Sequence, residues 1–223
     1  GINSLISRKL GAKDTKAANK AAGTGIILSL LSWLLFAIIG LLFTRRFIGF
    51  FTTDAELLRM GHHYSAIVLF FSLGVFIDIT CERILQSTGD TVRPMIIQMT
   101  GAIINIILDP ILIFGLLGAP RMGVVGAAIA TVFAQHVSAA MAVYYVRKNK
   151  EITIAREDLK LEGRTVKDIY AVGLPSIIMQ SISTLLNTSL NKILIAFGTT
   201  AVAVFGIYFR LQSFIFMPVF GLN

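Results

Sequence analysis

The stretch AAGTGIILSLLSWLLFAIIGLLF, Ala21–Phe43, runs 23 residues without a charge, and its length decides the fold. The hydrocarbon core of a bilayer is crossed by roughly 20 helical residues. Five further apolar runs follow, from about Gly61 to Cys81, Met95 to Gly118, Met122 to Val146, Ile169 to Gly198 and Ala201 to Asn223. A soluble domain of this size has too little core to bury six such segments on every side, so the sequence specifies an all-α, polytopic transmembrane helix bundle. Composition agrees: 14% of the residues are charged and 55% hydrophobic, whereas a soluble chain carries about a quarter charged residues. The opening at Gly1 and the close at Asn223 inside an apolar run read as cut ends of something longer, and no signal peptide can be judged from such a start.

The loops between the runs set the orientation. Counting Lys and Arg on alternate sides puts fourteen on the side that holds residues 1–20, the loop with Arg83 and Arg93, and the segment 147–168, against four on the other. By the positive-inside rule, residues 1–20 and 147–168 are cytoplasmic in a multi-pass protein of the cell membrane. This topology accounts for the net charge of +8, so no nucleic-acid partner is expected, which would need a basic patch interleaved with aromatics on a soluble face. The single cysteine, Cys81, excludes an intramolecular disulfide and a cysteine metal cluster. The one long polar connector, 147–168, divides the chain into a helical lobe over 1–146 and the start of a second over 169–223. The similar openings and closings Gly1-Ile2-Asn3 and Gly221-Leu222-Asn223 fit points one repeat length apart in an internally repeated transporter.

Polar residues inside the spans are costly and tend to face a cavity or a partner. Asn105 and Asp109 stand at i and i+4 and share a face, and the next residue, Pro110, frees a backbone carbonyl nearby. Carboxylate, amide and carbonyl together make a hard, oxygen-rich site for a proton or small cation. Asp109 lies nine residues before Gly118 and Thr131 nine after Met122, so both sit roughly 13 Å below the outer surface at the α-helical rise. The same count pairs Asn105 with Gln135, one turn deeper. Two readings stand for Asp109: an ion site, or a carboxylate that hydrogen-bonds its own bundle. Asp78 and Glu82, also i and i+4, read as an end-of-helix ion pair with Arg83 beside them. His62 and His63 read as interfacial and His136 as structural. The stripe Gln180, Ser183, Thr184, Asn187, Thr188 and Asn191 lines a cavity or supplies interhelical hydrogen bonds. In the last span Arg210 and Gln212 lie amid aromatics.

The strings Ser7–Asp14, Gln86-Ser87-Thr88-Gly89-Asp90-Thr91, Asn105–Pro110, Gly126–Thr131, Gly173-Leu174-Pro175-Ser176 and Gln212–Gly221 together resemble the multidrug and toxic compound extrusion (MATE) family, over the whole chain and in order. The resemblance implies a twelve-helix, two-lobe transporter of which this chain covers the inner end of the second helix through the eighth, with 147–168 linking the lobes. It implies export of cationic or amphipathic small molecules in exchange for Na⁺ or H⁺ by alternating access, with no other cofactor. Asn105, Asp109 and Thr131 match three members of a cation site known in the family, whose fourth, on the first helix, lies outside this chain. Ser183 stands where some members carry a coupling glutamate, which shifts weight to the first-lobe site. The substrate cavity is expected at Gln135, Gln180, Ser183, Asn187 and Gln212. A monomeric transporter, not an enzyme, is thus expected. The alternatives are a lipid-linked oligosaccharide flippase, for which only Lys192 and Arg210 offer cavity cations, and an intramembrane lipid-modifying enzyme with Asp78 and Glu82 as metal ligands.

Overall fold

Asp14 starts the longest helix: its carboxylate accepts from the Ala17 backbone N–H at 3.0 Å, satisfying one of the free donors of the first turn. In the computed structural model, which describes residues 1–50, 54–196 and 204–209, that helix is α2 (Thr15–Gly49), after a short α1 (Ile2–Gly11). Its 35 residues extend about 52 Å at 1.5 Å per residue, so its first turns, with Lys16 and Lys20, project beyond the apolar core. The order continues α3 (Ala55–Phe70), α4 (Leu73–Ser87), α5 (Val92–Phe114), α6 (Val124–Arg147) and α7 (Gly163–Ala196). The all-helical transmembrane class holds. Among the described residues four helices are long and apolar enough to span a membrane, or five if α3 and α4 count as one bent span. The sixth expected span, from Ala201, lies outside the described residues apart from the helical stretch 204–209.

The second span departs from the uninterrupted run that hydropathy suggests. α3 and α4 meet at 47° around Ser72, whose hydroxyl donates to the Leu69 carbonyl at 2.7 Å and so competes with the helical ladder, a known cause of bending. The Phe70 carbonyl at the break accepts from the Trp33 indole of α2 at 3.0 Å. A backbone group that lipid could not satisfy thereby gains a partner.

The molecule divides into two compact units, Gly1–Val172 and Gly173–Asn223, the boundary falling inside α7. In the first, the buried core gathers at the basic end: Leu5 and Ile6 of α1, Ala18, Ala21 and Ala22 of α2, Ile84 and Leu85 of α4 and Ile97 of α5 pack together. Ile152, from the connector, is 1% exposed within this core. The connector is further tied down by Asn149, which donates to Thr88 Oγ1 at 3.1 Å, and by its Lys160 carbonyl, which accepts from Thr24 at 3.0 Å. The segment read as a linker therefore packs as part of the first unit. Outward faces stay apolar, with Leu35, Leu42, Ile106 and Phe133 each exposed, as suits helices whose solvent is lipid.

Candidate ion site

The closeness of α5 and α6 is set by glycine. At the outer end of α6, a Cβ on Gly126 would lie 2.5 Å from the Leu112 carbonyl oxygen of α5. At the inner end a Cβ on Gly101 of α5 would collide with the Ser138 hydroxyl of α6, which donates to the Ile97 carbonyl at 3.5 Å. Small residues let backbones approach, and the short polar side chains between these two contacts can then reach across. The turn joining the helices closes with Met122 and Gly123 donating to the Leu112 and Ile113 carbonyls at 3.0 and 3.2 Å. Gly115 ends α5 in the left-handed region at φ 74°, where a Cβ would also strain the backbone.

Between the two contacts the structure brings Asn105, Asp109 and Thr131 together. The Asn105 amide lies 3.4 Å from Asp109 Oδ1 and 3.4 Å from Thr131 Oγ1, and all three side chains are partly buried. Both bonds are long, at the weak end of hydrogen-bond geometry. The set offers one carboxylate with an amide and a hydroxyl, hard oxygens that suit a proton or a small monovalent cation. Groups of three or more His, Cys, Asp or Glu, which softer or multivalent metals favour, do not occur among the described residues.

The remaining site candidates fall elsewhere. Gln135 lies one turn deeper on α6, and its Oε1 is buried without a hydrogen-bond partner; the Asn105 amide goes to Thr131 in place of the depth-matched Gln135. Gln180, Ser183 and Asn187 belong to the second unit, on α7, where Gln180 and Ser183 are exposed and Asn187 is half-buried. Hydroxyls of that stripe bond their own helix: Ser183 donates to the Met179 carbonyl at 3.2 Å and Thr184 to that of Gln180 at 3.0 Å. Gln212 and Arg210 lie outside the described residues, as do the side chains of Asn191 and Lys192. His136 sits with Nδ1 2.8 Å from the Val132 carbonyl of its own helix, and His62 and His63 are neighbours with rings 5.8 Å apart.

The Asp78–Glu82 pair is not the end-of-helix ion pair that its spacing suggests. Arg83 turns to Gln86, donating at 2.7 Å, and among the described residues the ion pairs are Lys20–Glu162 and Arg93–Asp90. Glu82 is only 4% exposed, too buried to reach the headgroups, and accepts from the Gln98 amide of α5 at 2.9 Å. Gln98 is the partner that sequence reading misses; its only signal is the one amide in the first half of α5.

Residues 1–111 match the family model described as MatE. The whole chain aligns at 30% identity with 49% of the multidrug export protein MepA of Staphylococcus haemolyticus. Among solved structures, an inward-facing conformation of a multidrug resistance MATE family transporter superposes with a TM-score of 0.83 at 29% identity, over 99% of this chain and 50% of that one. An outward-facing conformation of a MATE family transporter superposes at 0.87 and 29% identity, over 99% of this chain and 49% of that one. The chain thus spans about half the length of the relatives it matches.

Proposed function

The chain belongs to the MatE family, and from that premise we propose that it works within a secondary antiporter of the cell membrane that exports cationic or amphipathic small molecules in exchange for Na⁺ or H⁺. The observation that carries the coupling is the reach of the Asn105 amide to both Asp109 and Thr131 across the α5–α6 contact. A proton or cation at Asp109 neutralises a carboxylate that lipid and apolar helix faces surround, and so shifts the relative stability of two packings of α5 and α6. Thr131 supplies a neutral oxygen, and the Asn105 amide, which gives its N–H to both partners here, holds the carboxylate toward the helix interface and offers its oxygen to a cation when it turns over. Likeness to solved transporters in inward- and outward-facing conformations supports alternating access. The multidrug export name of the curated relative weighs for drug export over flipping of a lipid-linked oligosaccharide.

The test is efflux of a fluorescent cationic dye from proteoliposomes holding the full-length protein, driven by an imposed Na⁺ or H⁺ gradient, for wild type and Asp109→Asn. Gradient-driven efflux in the wild type that the substitution abolishes, with insertion unchanged, is the expected result, and the effective gradient names the ion. Efflux retained in Asp109→Asn moves coupling away from this site.

A further inference from the structure

The first unit holds a second acidic feature that the Asn105–Asp109–Thr131 set does not use. Asp78 and Glu82 are one helical turn apart on α4 and so share a face. Glu82 is 4% exposed; its Oε2 accepts from Gln98 Nε2 at 2.9 Å, while its Oε1 is buried without any hydrogen-bond partner. Asp78 Oδ1 is likewise buried and unpartnered. Two acceptor oxygens are thus left without donors within one turn, in a protein whose solvent is lipid.

The neighbouring groups supply one partial counter-charge for two carboxylates: Arg83 acts on Glu82 through its charge, with no ion pair to either carboxylate among the described residues. On α4 itself Arg83 bonds Gln86 and Cys81 is buried and free. From α5 comes Gln98, while Arg93 pairs with Asp90 at 3.2 Å and lies over the Tyr145 ring. From α6, His136 lies against Gly74, one turn above Asp78, with Nδ1 at the Val132 carbonyl. α1 and α2 meet α4 in the apolar core through side chains such as Leu5, Ile6 and Ala18. Two adjacent carboxylates, one of them shut away from water and headgroups, cannot both stay ionised without a counter-charge, because an uncompensated buried charge costs several kcal/mol. The occupant's chemistry follows from Gln98: it turns an N–H donor, not its oxygen, toward Glu82. A metal cation asks for a shell of oxygens, to which Gln98 adds none; a proton needs no such shell.

We propose that the Asp78–Glu82 pair is a proton-binding site of the first unit, distinct from the Asn105–Asp109–Thr131 set. Binding converts one carboxylate to the carboxylic acid, whose O–H supplies the donor that the orphaned oxygens lack. The assignment does not depend on the transport reading, and its test reads protonation directly.

Infrared difference spectra of the full-length protein in lipid decide it, recorded between neutral and alkaline pH on an Asp109→Asn background so that Asp109 contributes nothing. The expected result is a carboxylic-acid C=O band at neutral pH, shifted in D₂O, that Asp78→Asn or Glu82→Gln displaces and the two together remove. Glu82→Gln is isosteric and keeps an acceptor for Gln98; should it fail to fold, displacement of the band by Asp78→Asn alone carries the test. Absence of the band at neutral pH, a band that the substitutions leave in place, or its loss on adding Na⁺ at fixed pH overturns the proposal.

Discussion

The two acidic features of the first unit use the same local device, polar residues one turn apart on one helix, and end in opposite environments. Asn105 and Asp109 look across a glycine-set contact to a hydroxyl, are partly buried, and are joined by bonds of 3.4 Å. Glu82 is 4% exposed, holds one bond of 2.9 Å to Gln98 and has a second carboxyl group one turn away. Spacing sets which residues share a face, but the neighbouring helix sets what that face can do. A loosely bonded, half-buried carboxylate can exchange its partners; a closed one with a single short bond is fixed in place. On the proposed reading, that difference makes α5–α6 the exchanging contact and α4–α5 the holding one.

The contrast breaks first at the backbone. Gly126→Val places a Cβ 2.5 Å from a main-chain carbonyl that cannot rotate away, so α5 and α6 must separate. Overpacking of this kind costs about 1–3 kcal/mol, and we expect the upper part of that range in thermal unfolding of the purified protein. Because the same approach brings Thr131 within reach of Asn105, gradient-driven efflux should fall in parallel. Full efflux with lowered stability would show that the Asn105–Thr131 contact is dispensable. Next in size, Gln98→Leu takes away the one donor to Glu82 and leaves both its oxygens unpaired, at about 1–3 kcal/mol. An unfolding temperature equal to that of the wild type would mean that the α4–α5 contact holds nothing.

Much of this architecture is legible in the sequence, for reasons that also explain the rest. Uncharged runs such as Ala21–Phe43 mark spans because the cost of charge in lipid acts on single residues and needs no partner. Asn105, Asp109 and Thr131 could be set at matching depths because rise along a helix is regular. Rotation about the helix axis is not given by depth, which is why depth pairs Asn105 with Gln135 and gives no sign of Gln98. The bend at Ser72 escapes a hydropathy reading because a hydroxyl bonding its own helix changes no apolar count. The connector reads as a polar link because only two apolar residues, Ile152 in the core and Ile154 packed against it, tie it in among the charged ones.

The smallest expected effect on stability is also the sharpest test of the contrast. Asn105→Ala removes a donor whose two bonds are both 3.4 Å long, and such stretched bonds contribute little net. Asp109 and Thr131 are only partly buried, so the groups left behind can find each other or water. The substitution should therefore cost less than about 1 kcal/mol of stability, below the loss for Gln98→Leu. Ion binding is a different quantity, since an oxygen ligand and the group that orients the carboxylate are lost together. A loss of about 1.4 kcal/mol in binding, tenfold in affinity, should then appear as a tenfold higher ion concentration for half-maximal efflux. Measuring both quantities on the one variant separates the roles: a large loss of stability with unchanged ion dependence would make Asn105 a packing residue like Gln98, and the two acidic features would be alike after all.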